Sequence, residues 1–142
     1  MVTYLTLDSS IIIAALRQQE SKHSECRSLV ERVKDGEFIA LEPYTVLVEV
    51  VAAVRRRTGD KDLASRVRND LQDIETLNFL ELTSIRARSA SEIAEEIGVR
   101  GMDAIVIQVA SEFNVPLISL DADMIDRAKP LVKTELIENL AR

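Results

Sequence analysis

Glu49 is the one polar side chain in the stretch 46–54, Val-Leu-Val-Glu-Val-Val-Ala-Ala-Val, which reads as a helix apolar nearly all the way round and so as one that should be buried. An unpaired carboxylate there is costly, so Glu49 calls for a cation, a metal ion, or a gap in the packing that opens to a cleft. Three more acids sit at telling places. Asp8 directly follows a β-rich run and starts a helix, Asp103 opens an apolar helix within Arg100-Gly101-Met102-Asp103-Ala104, and Asp121 closes the apolar run 115–120. Each has a plainer explanation: an arginine partner or exposed corner for Glu49, an N-cap for Asp8, the helix dipole for Asp103, and turn chemistry for Asp121 with Asp123 and Asp126 behind it. Their joint occurrence carries more weight. Carboxylates gathered in one cleft raise each other's pKa unless a divalent cation restores the balance, and that cation can activate water and stabilise charge on a phosphoryl group.

Such acids need elements to position them. Thr3–Leu7 reads as a strand running through Ser9 and Ser10 into the apolar helical stretch 11–16. Ser21 or Ser24 opens a second helix with Cys26, Leu29, Val30 and Val33 on one face, closed near Asp35 and Gly36. Residues 38–41 form the next strand, and Pro43 suits the first turn of the helix that carries Glu49 to Gly59. Leu63, Val67, Leu71 and Ile74 mark another helix, residues 79–82 a short strand, and Ser84 a cap for a helix ending at Gly98. A helix over 102–113, a strand over 115–120, a short helix over 123–128 and an extended run over 131–134 complete the reading. Strands alternating with helices predict a three-layer α/β sandwich around a mostly parallel sheet, with ligands gathering beyond the C-terminal strand ends.

At 142 residues, with 46% hydrophobic and 30% charged residues, residues 1–142 suit a single globular domain. The short, uncharged N-terminal stretch predicts no export signal, and no apolar run approaches the roughly 20 residues that span a bilayer, so a cytoplasmic location is expected. One histidine and one cysteine exclude Cys/His zinc sites and two-histidine metalloprotease motifs. Any metal must be held by oxygen, which favours Mg²⁺ or Mn²⁺ in phosphate chemistry. Cys26 keeps helical phase with core positions, and His23 reads as a surface or packing residue. Twenty-four acids against 18 lysines and arginines, net −6, argue against a bulk nucleic-acid coat. A local strip from Arg55, Arg56 and Arg57, Arg66 and Arg68, then Arg86, Arg88 and Arg100, could still contact RNA, or be a solvated helix face.

Leu7-Asp8-Ser9-Ser10, Glu49, Gly101-Met102-Asp103-Ala104 and Ser119-Leu120-Asp121, in that order over essentially the whole chain, resemble the PIN-domain nuclease family and, within it, VapC-type toxins of toxin–antitoxin pairs. The resemblance implies a five-stranded parallel sheet of order 3-2-1-4-5, in which Asp8 and Asp121 meet. It places the catalytic, metal-holding acids at Asp8, Glu49, Asp103 and Asp121, supporting hydroxyls at Ser10 and Ser119, and an outer ligand at Asp123. Ser119 stands where relatives often carry Thr, which keeps the hydroxyl. It further implies Mg²⁺- or Mn²⁺-dependent cleavage of RNA, a homodimer, and inhibition by a small VapB-like antitoxin. The alternatives are a non-catalytic PIN-like interaction module and a DNA or flap-type nuclease. A haloacid-dehalogenase-like phosphatase would need a second Asp where Ser10 stands, and a response-regulator receiver an Asp where Thr83 and Ser84 follow the third strand.

Overall fold

The computed structural model describes residues 3–140. Five parallel strands, β1 (Thr3–Leu7), β2 (Phe38–Pro43), β3 (Leu77–Leu80), β4 (Leu117–Ile118) and β5 (Thr134–Glu135), lie in the order β3-β2-β1-β4-β5. Parallel neighbours require crossovers, and helices supply them. These are α1 (Ser9–Leu16) and α2 (His23–Lys34), α3 (Tyr44–Thr58) and α4 (Lys61–Asp73), α5 (Ser84–Ile97) and α6 (Gly101–Phe113), α7 (Ala122–Ala128), and a terminal α8 (Ile137–Leu140). The sandwich and the order 3-2-1-4-5 are as expected. None of the helices among the described residues is long and apolar enough to cross a membrane.

β1 changes partner along its length. Thr3, Tyr4 and Leu5 are in register with Phe38, Ile39 and Ala40 of β2, whereas Thr6 and Leu7 are in register with Leu117 and Ile118 of β4. Asp8 N–H then donates to Ile118 C=O at 2.9 Å, so the residue after β1 is still held by β4. The strand order reverses around β1, which puts the C-terminal ends of β1 and β4 at the crevice where α/β sheets place their ligands.

The core is aliphatic: Leu5, Leu7, Ile11, Ile12, Val46, Val50, Ile107, Leu117, Ile118 and Met124 are fully or nearly fully buried. α6 lies against β1 and β2 with α5 packed on it, and α2 packs on α1 and β2. Cys26 is buried in this core, as its helical phase predicts, and the His23 ring is fastened to Ala14 C=O at 2.8 Å.

Several local expectations are corrected. The helix around Glu49 is not buried on every side: Val46, Leu47, Val50 and Ala53 face the core, but Val48 is 63% exposed. β3 begins two residues earlier than 79–82, because Leu77 is the buried residue and Glu81 and Leu82 leave the sheet. β4 is shorter than 115–120, and β5 lies just beyond most of 131–134. Pro43 ends β2 and precedes α3 rather than lying in its first turn, and Thr83, not Ser84, caps α5 by accepting from Arg86 N–H at 3.2 Å. α2 starts at His23, with Lys22 at the cap position in place of Ser21 or Ser24.

Candidate metal centre

Asp8 stands in the N-cap position of α1, yet its carboxylate makes no cap hydrogen bond. Instead Oδ2 accepts from Ser10 Oγ at 2.7 Å and from Ser119 Oγ at 2.9 Å. The two hydroxyls are themselves fixed, because Ser10 Oγ accepts from Leu120 N–H at 3.1 Å and Ser119 Oγ from Asp121 N–H at 3.0 Å. Each hydroxyl thus spends its acceptor capacity on the loop after β4 and its proton on Asp8. The carboxylate is buried and oriented by groups from both α1 and the end of β4.

Glu49 reaches toward the same place from α3, and Asp103 from the first turn of α6. Burial pushes the Glu49 carboxyl above its ordinary pKa, with the charge of Asp8 and then Asp103 adding to the rise, while the Ser9 side chain and Arg100 oppose it. Asp103 is also raised, first by burial and then by Asp8, with Asp121 adding to it and Arg100 working against both. Acids that perturb one another in this way occupy a shared region short of positive charge. Among the described residues, the side chain that partly answers it is Arg100, whose Nε lies 3.5 Å from Asp103 Oδ2 and whose Nη2 lies 3.6 Å from Asp121 Oδ2.

Asp121 divides its two oxygens. Oδ1 caps α7, accepting from Asp123 N–H at 3.1 Å and Met124 N–H at 3.2 Å, while Oδ2 turns to Arg100. The capping explanation therefore holds for half of Asp121, and fails for Asp8. For Asp103 the favourable dipole of α6 is real, but its side chain pairs with Arg100 rather than with backbone.

A cleft of about 590 Å³ adjoins this cluster, lined by Glu49, Leu82, Ser91, Arg100, Met102 and Asp103 among others. Among the described residues no three histidine, cysteine or carboxylate groups are closed to chelating distance as they stand. The donor chemistry nonetheless fits a hard divalent cation. It consists of carboxylate oxygens, those of Glu49 and Asp103 on groups whose pKa is raised first by burial and then by neighbouring acids, beside a guanidinium that supplies part of the missing positive charge.

Of the residues singled out from sequence, Asp8, Glu49, Asp103, Asp121, Ser10, Ser119 and Arg100 are brought together. Asp123 is not: its side chain is exposed and pairs with Arg127 at 3.1 Å. Arg55, Arg56 and Arg57 lie in the last turn of α3, more than a helical turn beyond Glu49, where Arg57 pairs with Glu20 at 3.6 Å. One residue was missed. Glu42 is wholly buried on β2, its Oε2 accepts from Leu7 N–H at 2.6 Å, and its Oε1 has no hydrogen-bond partner. The period-two alternation Phe38, Ala40, Glu42 would have put it on an inward face.

No curated protein matches the sequence. The fold is shared with the Mycobacterium tuberculosis VapC20, a Sarcin-Ricin loop cleaving toxin, at a TM-score of 0.73 and 16% identity over 86% of this chain and 93% of that one. It is shared also with a chain of the DNA-bound VapBC from Salmonella typhimurium (TM-score 0.71, 14% identity, 96% and 99% covered) and of Rickettsia felis VapBC2 bound to a promoter DNA fragment (0.68, 16%, 96% and 98%). The PIN-domain family model matches residues 5–130, which takes in every acid of the cluster, and the chain belongs to the PIN-domain family.

Proposed function

We propose that this protein is a divalent-metal-dependent ribonuclease, with Asp8, Glu49, Asp103 and Asp121 as the groups that would hold Mg²⁺ or Mn²⁺. The observation that carries the reading is the carboxylate of Asp8, held by two serine hydroxyls at the C-terminal end of β1, beside Glu49 and Asp103, whose pKa burial and then its charge raise. A bound divalent ion would supply activation of water and stabilisation of charge on the phosphoryl group. Ser10 and Ser119 keep Asp8 aimed by donating to one of its oxygens. Asp121 presents Oδ2 from a cap that fixes its side chain, and Arg100, at the rim of the cleft, is placed to meet an RNA phosphate. Asp123, whose exposed carboxylate pairs with Arg127, and Arg55 to Arg57, more than a helical turn beyond Glu49, are left out of it.

The test is cleavage of single-stranded RNA and of a sarcin–ricin-type hairpin, with and without Mg²⁺ or Mn²⁺, beside matched DNA. RNA cleavage that chelation abolishes, and that Asp8→Asn lowers by more than about 100-fold without unfolding, is the expected result. Preferential cutting of DNA would move the reading to a DNA or flap-type nuclease, and no metal-dependent cleavage of either would leave an interaction module. Because the structural neighbours include VapBC complexes, we further propose the toxin role, with a VapB-like antitoxin as partner and a homodimer as the working form.

A further inference from the structure

In a parallel ladder continuing from Leu5↔Ala40, the next rung would carry Leu7 N–H to Leu41 C=O. The rung is replaced. Leu7 N–H donates to Glu42 Oε2 at 2.6 Å, and Leu41 C=O accepts from Thr6 Oγ1 at 2.9 Å. Two side chains thus end the β1–β2 pairing one residue before Asp8, while β4 continues to hold Asp8 N–H.

The terminus of β1 is therefore pinned from β4 by backbone and from β2 by the Glu42 carboxyl. A fully buried carboxyl with one oxygen unpartnered is a poor choice for stability alone, since an apolar residue of similar volume carries no such penalty. Its position next to Leu7, and within electrostatic reach of Asp8, gives it a task. Resting on the metal-centre reading above, we propose that Glu42 is a positioning residue: it holds the end of β1 where Asp8 can complete the cation site, acting through Leu7 N–H rather than by touching the ion.

Groups that orient metal ligands typically carry about 10- to 100-fold of metal affinity. Titration of the full chain with Mn²⁺, followed by calorimetry or by the free-ion resonance signal, provides the test, with folding checked by circular dichroism. Glu42→Gln keeps an acceptor for Leu7 N–H and should bind Mn²⁺ within about threefold of wild type. Glu42→Leu removes the acceptor and should lose at least about tenfold. Should Glu42→Leu fail to fold, Glu42→Asp, which draws the carboxyl back by one methylene, is expected to lose affinity in the same direction while Glu42→Gln does not. A folded Glu42→Leu or Glu42→Asp that binds Mn²⁺ as wild type does overturns the proposal and leaves the metal centre standing. A wild-type protein that binds no Mn²⁺ overturns both.

Discussion

At the scale of single residues, the site is organised around a shortage of positive charge that Arg100 relieves only in part. Its guanidinium is 82% exposed and its contacts to Asp103 and Asp121 are long, so each is worth little by itself. A divalent ion at the same acids would have to compete with it. Arg100→Gln is therefore expected to tighten Mn²⁺ binding by about three- to tenfold at low ionic strength, an effect that shrinks in high salt, as titration at two salt concentrations would show. Glu42 makes a second, opposite case. Burial, with Asp8 adding to it, pushes its carboxyl well above the usual range, against the opposing bond from Leu7 N–H. The folded chain then keeps a proton on Glu42 that the unfolded chain has released. Stability from this group is complete below its unfolded pKa and is lost as pH rises toward the folded one. Glu42→Gln removes that dependence, so its thermal stability should gain on wild type as pH is raised from 5 to 8, with a slope of at most about 1.4 kcal/mol per pH unit. A constant difference across that range would show Glu42 to be ionised in the folded protein.

At the scale of elements, Asp121 joins the start of α7 to the acid cluster with one side chain, and the two tasks are separable. Asp121→Ala should cost about 1 kcal/mol in denaturant unfolding for the lost cap and should also weaken Mn²⁺ binding. Asp121→Ser restores a capping oxygen but not the second one, so stability should return while metal affinity does not. Recovery of both would mean that Asp121 is a cap and nothing more. The same duality explains what could be read in advance. Alternation of strand and helix, and acids placed at the joints between them, are local features, so the α/β class and the positions of Asp8 and Asp103 were legible. The sheet order and the roles assigned to the four acids came from resemblance to a family, not from periodicity. What composition concealed was long-range: Val48 looks as apolar as Val50, yet only contacts with other elements decide which is exposed. For Glu42 the alternation of β2 indicates an inward face but not a task, since its partner, Leu7 N–H, lies 35 residues away. The terminal helix α8 packs on α2, another distant contact, and no local pattern announced it.

At the scale of the whole molecule, five of the nine large apolar side chains exposed among the described residues stand at or beside the starts of three helices. Tyr44 and Val48 begin α3, Leu82 and Ile85 flank the start of α5, and Met102 begins α6; Ile85 is 80% exposed. Leu82 and Met102 also line the cleft beside Glu49 and Asp103. A chain with net charge −6 that exposes such residues near its acidic cleft gains from covering them, and a second copy is the cover that the homodimer reading supplies. In a two-fold assembly one substitution acts twice, because the same patch meets itself or its counterpart on both subunits. Ile85→Asp, which places a charge where the side chain already faces solvent, should leave the fold of the isolated chain unchanged while opposing any interface built there. Sedimentation of wild type is expected to give a dimer mass, and that of Ile85→Asp, with Val48→Asp beside it, a monomer mass at the same concentration. Equal dimer masses in all three would move the interface away from the starts of α3 and α5, and a monomeric wild type would remove the homodimer from the proposed function without touching the metal centre.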